Sequence, residues 1–163
     1  MEDTAAIARG KQNVRILYDI MKIQSIFGSL NKVGLDVRKE VEHWWLQAVK
    51  DLDSAHKNLN MEEYHLTAFL CQQSVEKALK ALYMHRLKES PGTTHSLIFL
   101  GQKTGIPKEY HNGLRRLSPD FVITRYPDAA QAVPHELYDE KIAAERIEIA
   151  RKVIEWVSQE LKK

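Results

Sequence analysis

Cysteine is almost missing from this chain: Cys71 is the one such residue in 163. No disulfide framework and no cysteine-based zinc site can be built, and a reducing cytoplasm is the expected compartment. Glycine and proline are sparse, at seven and five residues, and no stretch is rich in glycine, serine or proline. That argues against long linkers and extended disorder. No apolar run approaches the roughly 18–20 residues of a membrane span, and no signal-peptide pattern opens the chain. Strong charge of one sign is missing as well. The net charge is +2, all of it within residues 1–40, which hold 7 Lys/Arg against 5 Asp/Glu; the rest carries 17 of each. A neutral body has no cationic stripe of the kind that duplex binders use.

Several signatures of chemistry are also absent. The chain has no Gly-x-x-x-x-Gly-Lys phosphate loop, no Gly-x-Gly-x-x-Gly, no His-Glu-x-x-His and no Gly-x-Ser-x-Gly. Its seven histidines do not fall at metal-ligand spacing with carboxylates. No cofactor and no metal are expected.

What is present is helical period. Val41, Trp45, Ala48, Leu52, Ala55 and Leu59 step by four and three, placing one apolar face on a helix that ends at Asn58-Leu-Asn60. Trp45 lies on that face, leaving Trp44 or His43 turned outward. A longer helix is expected from about Met61 to Leu87. Cys71, Val75, Ala78 and Leu82 share one face of it, widened by Leu66, Phe69, Leu70 and Leu79. So broad an apolar arc belongs to a central helix. Ser90-Pro-Gly-Thr-Thr94 reads as a loop, with Thr94 capping a short helix from His95. Gly105 and Pro107 break it, and another helix covers Lys108 to Leu117. Residues 118–137 contain three prolines and no clear period, so a long loop is expected, a frequent place for function. Asp139 then caps a last helix whose Ala143, Ile147, Ala150, Ile154, Val157 and Leu161 repeat as a bundle seam.

No run alternates with strand period. The fold class expected is all-α, an antiparallel up-and-down bundle of four to five helices over residues 38–163. Residues 1–37 form an N-terminal extension. Within it Ile16, Ile20, Ile23, Phe27 and Leu30 make a stripe, consistent with an amphipathic helix that caps the bundle or meets a partner. Its polar face is too short of basic residues to favour a membrane surface.

Three features carry candidate chemistry. The central helix bears Gln72, Gln73, Glu76, Lys77 and Lys80 opposite its apolar face. This stripe is either a solvated face with one Glu-x-x-x-Lys pair, worth about 0.2–0.5 kcal/mol when exposed, or a polar seam against a ligand or partner. In Thr94-His-Ser-Leu97, His95 is either an exposed imidazole at a helix start or a neutral base. In Arg125-Tyr-Pro-Asp128, Arg125 either pins a turn to a carboxylate or holds a phosphate with its guanidinium fork. His135 and Tyr138 follow in the same segment.

At these residues the chain resembles the HEPN domains, in their small prokaryotic branch. The likeness runs from Glu42-His-Trp-Trp-Leu46 through Ala48 and Asp51-Leu52, along Phe69 to Lys80, to Thr94-His-Ser-Leu97, Arg125-Tyr-Pro-Asp128 and the helix after Tyr138. It covers roughly residues 38–161. The resemblance implies a helical bundle, commonly a homodimer, paired with a minimal nucleotidyltransferase in a toxin–antitoxin-like system. It further implies nucleotide or RNA as ligand, with Gln73, Glu76, Lys77, Lys80, Tyr126 and Asp128 as candidate nucleotide-binding residues.

Many members of the family are metal-independent ribonucleases using an Arg-x(4–6)-His motif. Here nine residues separate Arg125 from His135, and eight separate Arg86 from His95. The one pair at family spacing, Arg38 with His43, opens the first helix, where the family does not place it. Whether the chain is an enzyme stays open on sequence, with Arg125, His95 and His135 as the candidate catalytic set. A non-catalytic binding module, a ribonuclease toxin and a helical adaptor are the three functions in view. Tyr126 and Tyr138 are loose candidates for the tyrosine that receives a nucleotide in some family pairs.

Overall fold

The computed structural model describes residues 39–163. The expected N-terminal stripe and Arg38 lie outside them. Three long helices make the frame: α1 (Lys39–Asn60), α2 (Tyr64–Leu87) and α7 (Glu140–Glu160), with short α3 (Leu97–Lys103) and α4 (His111–Leu117) packed beside them. The described residues contain no strand, and the fold is an all-α bundle.

α1 and α2 form an antiparallel hairpin through the turn at residues 61–63, where Glu62 takes a left-handed φ of 63°. Small residues let the two helices come close: Ala48, Ala55, Ala68 and Ala78 are wholly buried. The hydroxyl of Ser74 donates to the Ala48 carbonyl at 2.7 Å, so this polar atom is satisfied inside the contact. α2 packs on α1, α3, α4 and α7 and is buried around most of its circumference. It is the central helix that its apolar arc implies. The α1 and α7 seams are buried as their spacing requires, with Trp45 and Val157 at full burial and Leu59 alone half-exposed.

Two elements differ from expectation. The cap of α3 is Ser96, whose Oγ accepts from Phe99 N at 3.2 Å; Thr94 Oγ1, two residues earlier, instead accepts from Ser96 N. His95 therefore precedes the helix and is not part of its first turn. The segment 118–137 is not one loop. It holds α5 (Asp120–Ile123), α6 (Pro127–Ala130) and a 3-10 turn (Pro134–Leu137). Pro127 and Pro134 stand at first helical positions, where a fixed φ and a missing N–H cost nothing. By contrast, Asp139 caps α7 as expected, accepting from Ile142 N at 2.7 Å.

Candidate functional site

The glutamine stripe of α2 is a seam, not a solvated face. Gln72 is fully buried, and Glu76 and Lys80 are each 4% exposed. Lys80 Nζ lies 2.9 Å from Glu76 Oε1 and 5.2 Å from the ring centre of Trp44 on α1. Gln72 Nε2 donates to Glu76 Oε2 at 3.0 Å, and Gln73 Nε2 donates to Gln72 Oε1 at 2.7 Å. Lys77 Nζ donates to Gln73 Oε1 at 2.9 Å and pairs with Asp51 of α1 at 2.7 Å. One connected polar network thus joins α1 to the middle of α2. Burial pushes the Glu76 carboxyl up, but the hydrogen bonds from Lys80 and Gln72 outweigh it and hold the group below its ordinary value.

This network ends at His95. Its Nδ1 lies 3.0 and 3.1 Å from the two Glu76 oxygens, while half of the side chain remains exposed. The imidazole stacks on Phe121 with ring centres 4.1 Å apart and planes 18° apart. Arg125 lies against the same phenyl ring, its guanidinium 4.6 Å from the ring centre. It also covers Phe69 at 4.8 Å and Tyr126 at 5.0 Å. Its Nε donates to the Phe121 carbonyl at 2.9 Å. His95 and Arg125, 30 positions apart in sequence, therefore meet around one aromatic side chain.

A buried cluster anchors that side chain. Asp120, directly before Phe121, is 2% exposed; it accepts from Tyr138 Oη at 2.7 Å and from Arg146 Nε of α7 at 2.6 Å. Burial raises the Asp120 carboxyl above its ordinary value despite both donors, the mark of a charge held where water is excluded. Thr124 Oγ1 closes α5 on the Asp120 carbonyl at 2.6 Å. The turn that presents Phe121 and Arg125 is in this way fixed to α7.

The HEPN domain family model matches residues 41–161. The chain belongs to the HEPN family. Two crystal structures share the architecture of this HEPN chain. TT1696 from Thermus thermophilus is 28% identical, with a TM-score of 0.67 over 74% of this chain and 98% of its own. ST0689, described as an archaeal HEPN homologue, is 34% identical, with a TM-score of 0.66 over 76% of this chain and 98% of its own. No curated protein matches the chain.

The remaining candidates of the HEPN domain fall around this centre. His135 packs edge-on against His65 of α2, ring centres 6.2 Å apart, while Phe69, one helical turn along α2, lies under Arg125. Tyr126 is 49% exposed and Asp128 is also at the surface. Gln73 and Lys77 are half-buried; Glu76 and Lys80 lie beneath the surface with their charges turned on one another. Tyr138 is committed to Asp120, and burial and that bond raise its phenol. Arg86 pairs with Glu160 and the Thr104 carbonyl. Cys71 is wholly buried, and burial pushes its thiol up.

Phe121, Asp51, Asp120 and Arg146 were not among the candidates drawn from sequence. A signal existed for Phe121, which stands one helical turn before Arg125. Among the described residues no group of three or more His, Cys, Asp or Glu could hold a metal ion, and no helix is long and apolar enough to cross a membrane. A shallow groove of about 190 Å³ between α4 and α7 is lined by Arg116 and Glu145, which already pair with each other.

Proposed function

We propose that this HEPN protein binds nucleotide or nucleic acid on the ledge formed by His95, Phe121, Arg125 and Tyr126, as a homodimer partnered by a minimal nucleotidyltransferase in a toxin–antitoxin-like pair. The observation that carries the reading is the state of Arg125. Among the described residues Arg86, Arg116, Arg146 and Arg151 each pair with a carboxylate, whereas Arg115 and Arg125 do not, and of these two Arg125 is the one stacked on aromatic rings. Arg125 is exposed, and among the described residues its partners are a carbonyl and three ring faces. A guanidinium stacked and oriented, but not neutralised, is prepared for a phosphate. Exposed Tyr126 beside it offers a face on which a base can stack.

A second reading, metal-independent cleavage of RNA, is favoured by the contact between His95 and the Glu76 carboxylate within the same ledge. An imidazole so held can take the proton of a 2′-hydroxyl while Arg125 steadies the phosphate. His95 is the partner this reading requires; His135 belongs with His65.

Purified protein incubated with nucleotides and with single-stranded and structured RNA, in the presence of a chelator, separates the readings. Binding without cleavage supports the first, with Arg125→Ala weakening it at least about tenfold, a loss of ~1.4 kcal/mol. Cleavage abolished by His95→Ala and Arg125→Ala but retained by His135→Ala supports the second. Neither binding nor cleavage sinks both.

A further inference from the structure

The hydrogen bonds along α2 have a direction, and that direction reaches His95. An ammonium can only donate and an ionised carboxylate can only accept. Lys77 therefore requires Oε1 of Gln73 to face it, which turns Nε2 of Gln73 onto Oε1 of Gln72 and Nε2 of Gln72 onto Glu76. The two ends impose the same order, so neither amide can flip without setting donor against donor. At the far end Lys77 is held by Asp51, which in turn accepts from Gln47 at 2.6 Å. Chains polarised in one sense strengthen along their length.

The Glu76 carboxylate takes Lys80 on Oε1 and Gln72 on Oε2, and the remaining group facing it is Nδ1 of His95. A group that only accepts requires a donor there. Neutral His95 must then carry its proton on Nδ1, leaving Nε2 as a bare acceptor at the other end of a half-exposed ring.

We propose that Glu76 is a positioning residue, held by the Asp51–Lys77–Gln73–Gln72 chain, that selects the Nδ1–H tautomer of His95 and presents Nε2 to a ligand bound by Arg125. The ligand rests on the functional reading above. The tautomer does not, because it belongs to the unliganded protein.

The test is long-range proton–nitrogen correlation spectroscopy of the full-length, nitrogen-15-labelled protein. The His95 signals are identified by their loss in His95→Gln. At about pH 8.5, where an ordinary imidazole is neutral, His95 is expected wholly as the Nδ1–H form. In Glu76→Leu no acceptor faces Nδ1, and the share of the Nδ1–H form should fall. Because Glu76→Leu leaves Lys80 buried without its carboxylate, the double variant E76L/K80M provides the same reading if the single variant does not fold. An Nε2–H tautomer in the wild type, or a tautomer unchanged in E76L/K80M, overturns the proposal. The expected tautomers in a protein that binds neither nucleotide nor RNA uphold it and remove the functional reading alone.

Discussion

At the scale of single residues, burial decides what Glu76 and Lys80 do. In sequence, a Glu-x-x-x-Lys pair reads the same whether water or protein lies opposite. What lies opposite here is Trp44 of α1 and His95, 19 positions away, neither of which local spacing could place. Breaking a buried pair from one side leaves an uncompensated charge and costs about 3–5 kcal/mol, whereas replacing both partners is near neutral. Lys80→Met should therefore lower the denaturant midpoint sharply, and E76Q/K80M should recover most of the loss. The pH dependence follows from the lowered Glu76 carboxyl. As pH falls, the unfolded chain takes up this proton first, so the stabilisation is complete above the ordinary carboxylate range and is lost as pH drops through the lower folded value. Acid unfolding monitored by circular dichroism should steepen below about pH 4 in the wild type, with a shallower slope in E76Q/K80M. Tyr138→Phe removes one of the donors to buried Asp120; a cost of about 1–3 kcal/mol is expected from denaturant titration.

At the scale of elements, legibility followed length. α1, α2 and α7 each span 21 residues or more, enough turns for their apolar period to stand out. α5 and α6 have four residues each. A single turn cannot show a period, and the prolines that suggested a loop in fact begin its turns. Their order comes from outside the segment, through the contact of Asp120 with Arg146 on α7. The cap of α3 was a choice between two suitable residues, Thr94 and Ser96, that local sequence does not decide; Ser96 caps, and His95 between them contacts Glu76. Close packing adds a prediction. A Cβ built on Gly101 of α3 would stand 2.7 Å from Leu114 Cδ1 and 3.0 Å from Ile106 Cγ2. Gly101→Ala should destabilise by about 1–3 kcal/mol through overpacking, read as a lowered melting temperature. Asp139→Ala, which removes the α7 cap, should cost about 1 kcal/mol.

At the scale of the whole molecule, the bundle brings a buried polar network and an exposed aromatic ledge to meet at His95. Family membership was legible in the order of short motifs, because those motifs are the network and the ledge themselves. Arg125 with either His95 or His135 was legible as a candidate pair; that His95 is the one beside Arg125 was not, since it depends on Phe121 and on a turn fixed to α7. The measurement that bears most directly on the function proposed is binding of a fluorescent single-stranded RNA oligonucleotide, followed by anisotropy without metal, for wild type and Arg125→Ala. Saturable binding by wild type that weakens with added salt is the expected result. A loss of at least about tenfold, or ~1.4 kcal/mol, is expected in Arg125→Ala at a temperature where both proteins are folded. Equal affinity in the two proteins would contradict a phosphate-binding role for Arg125.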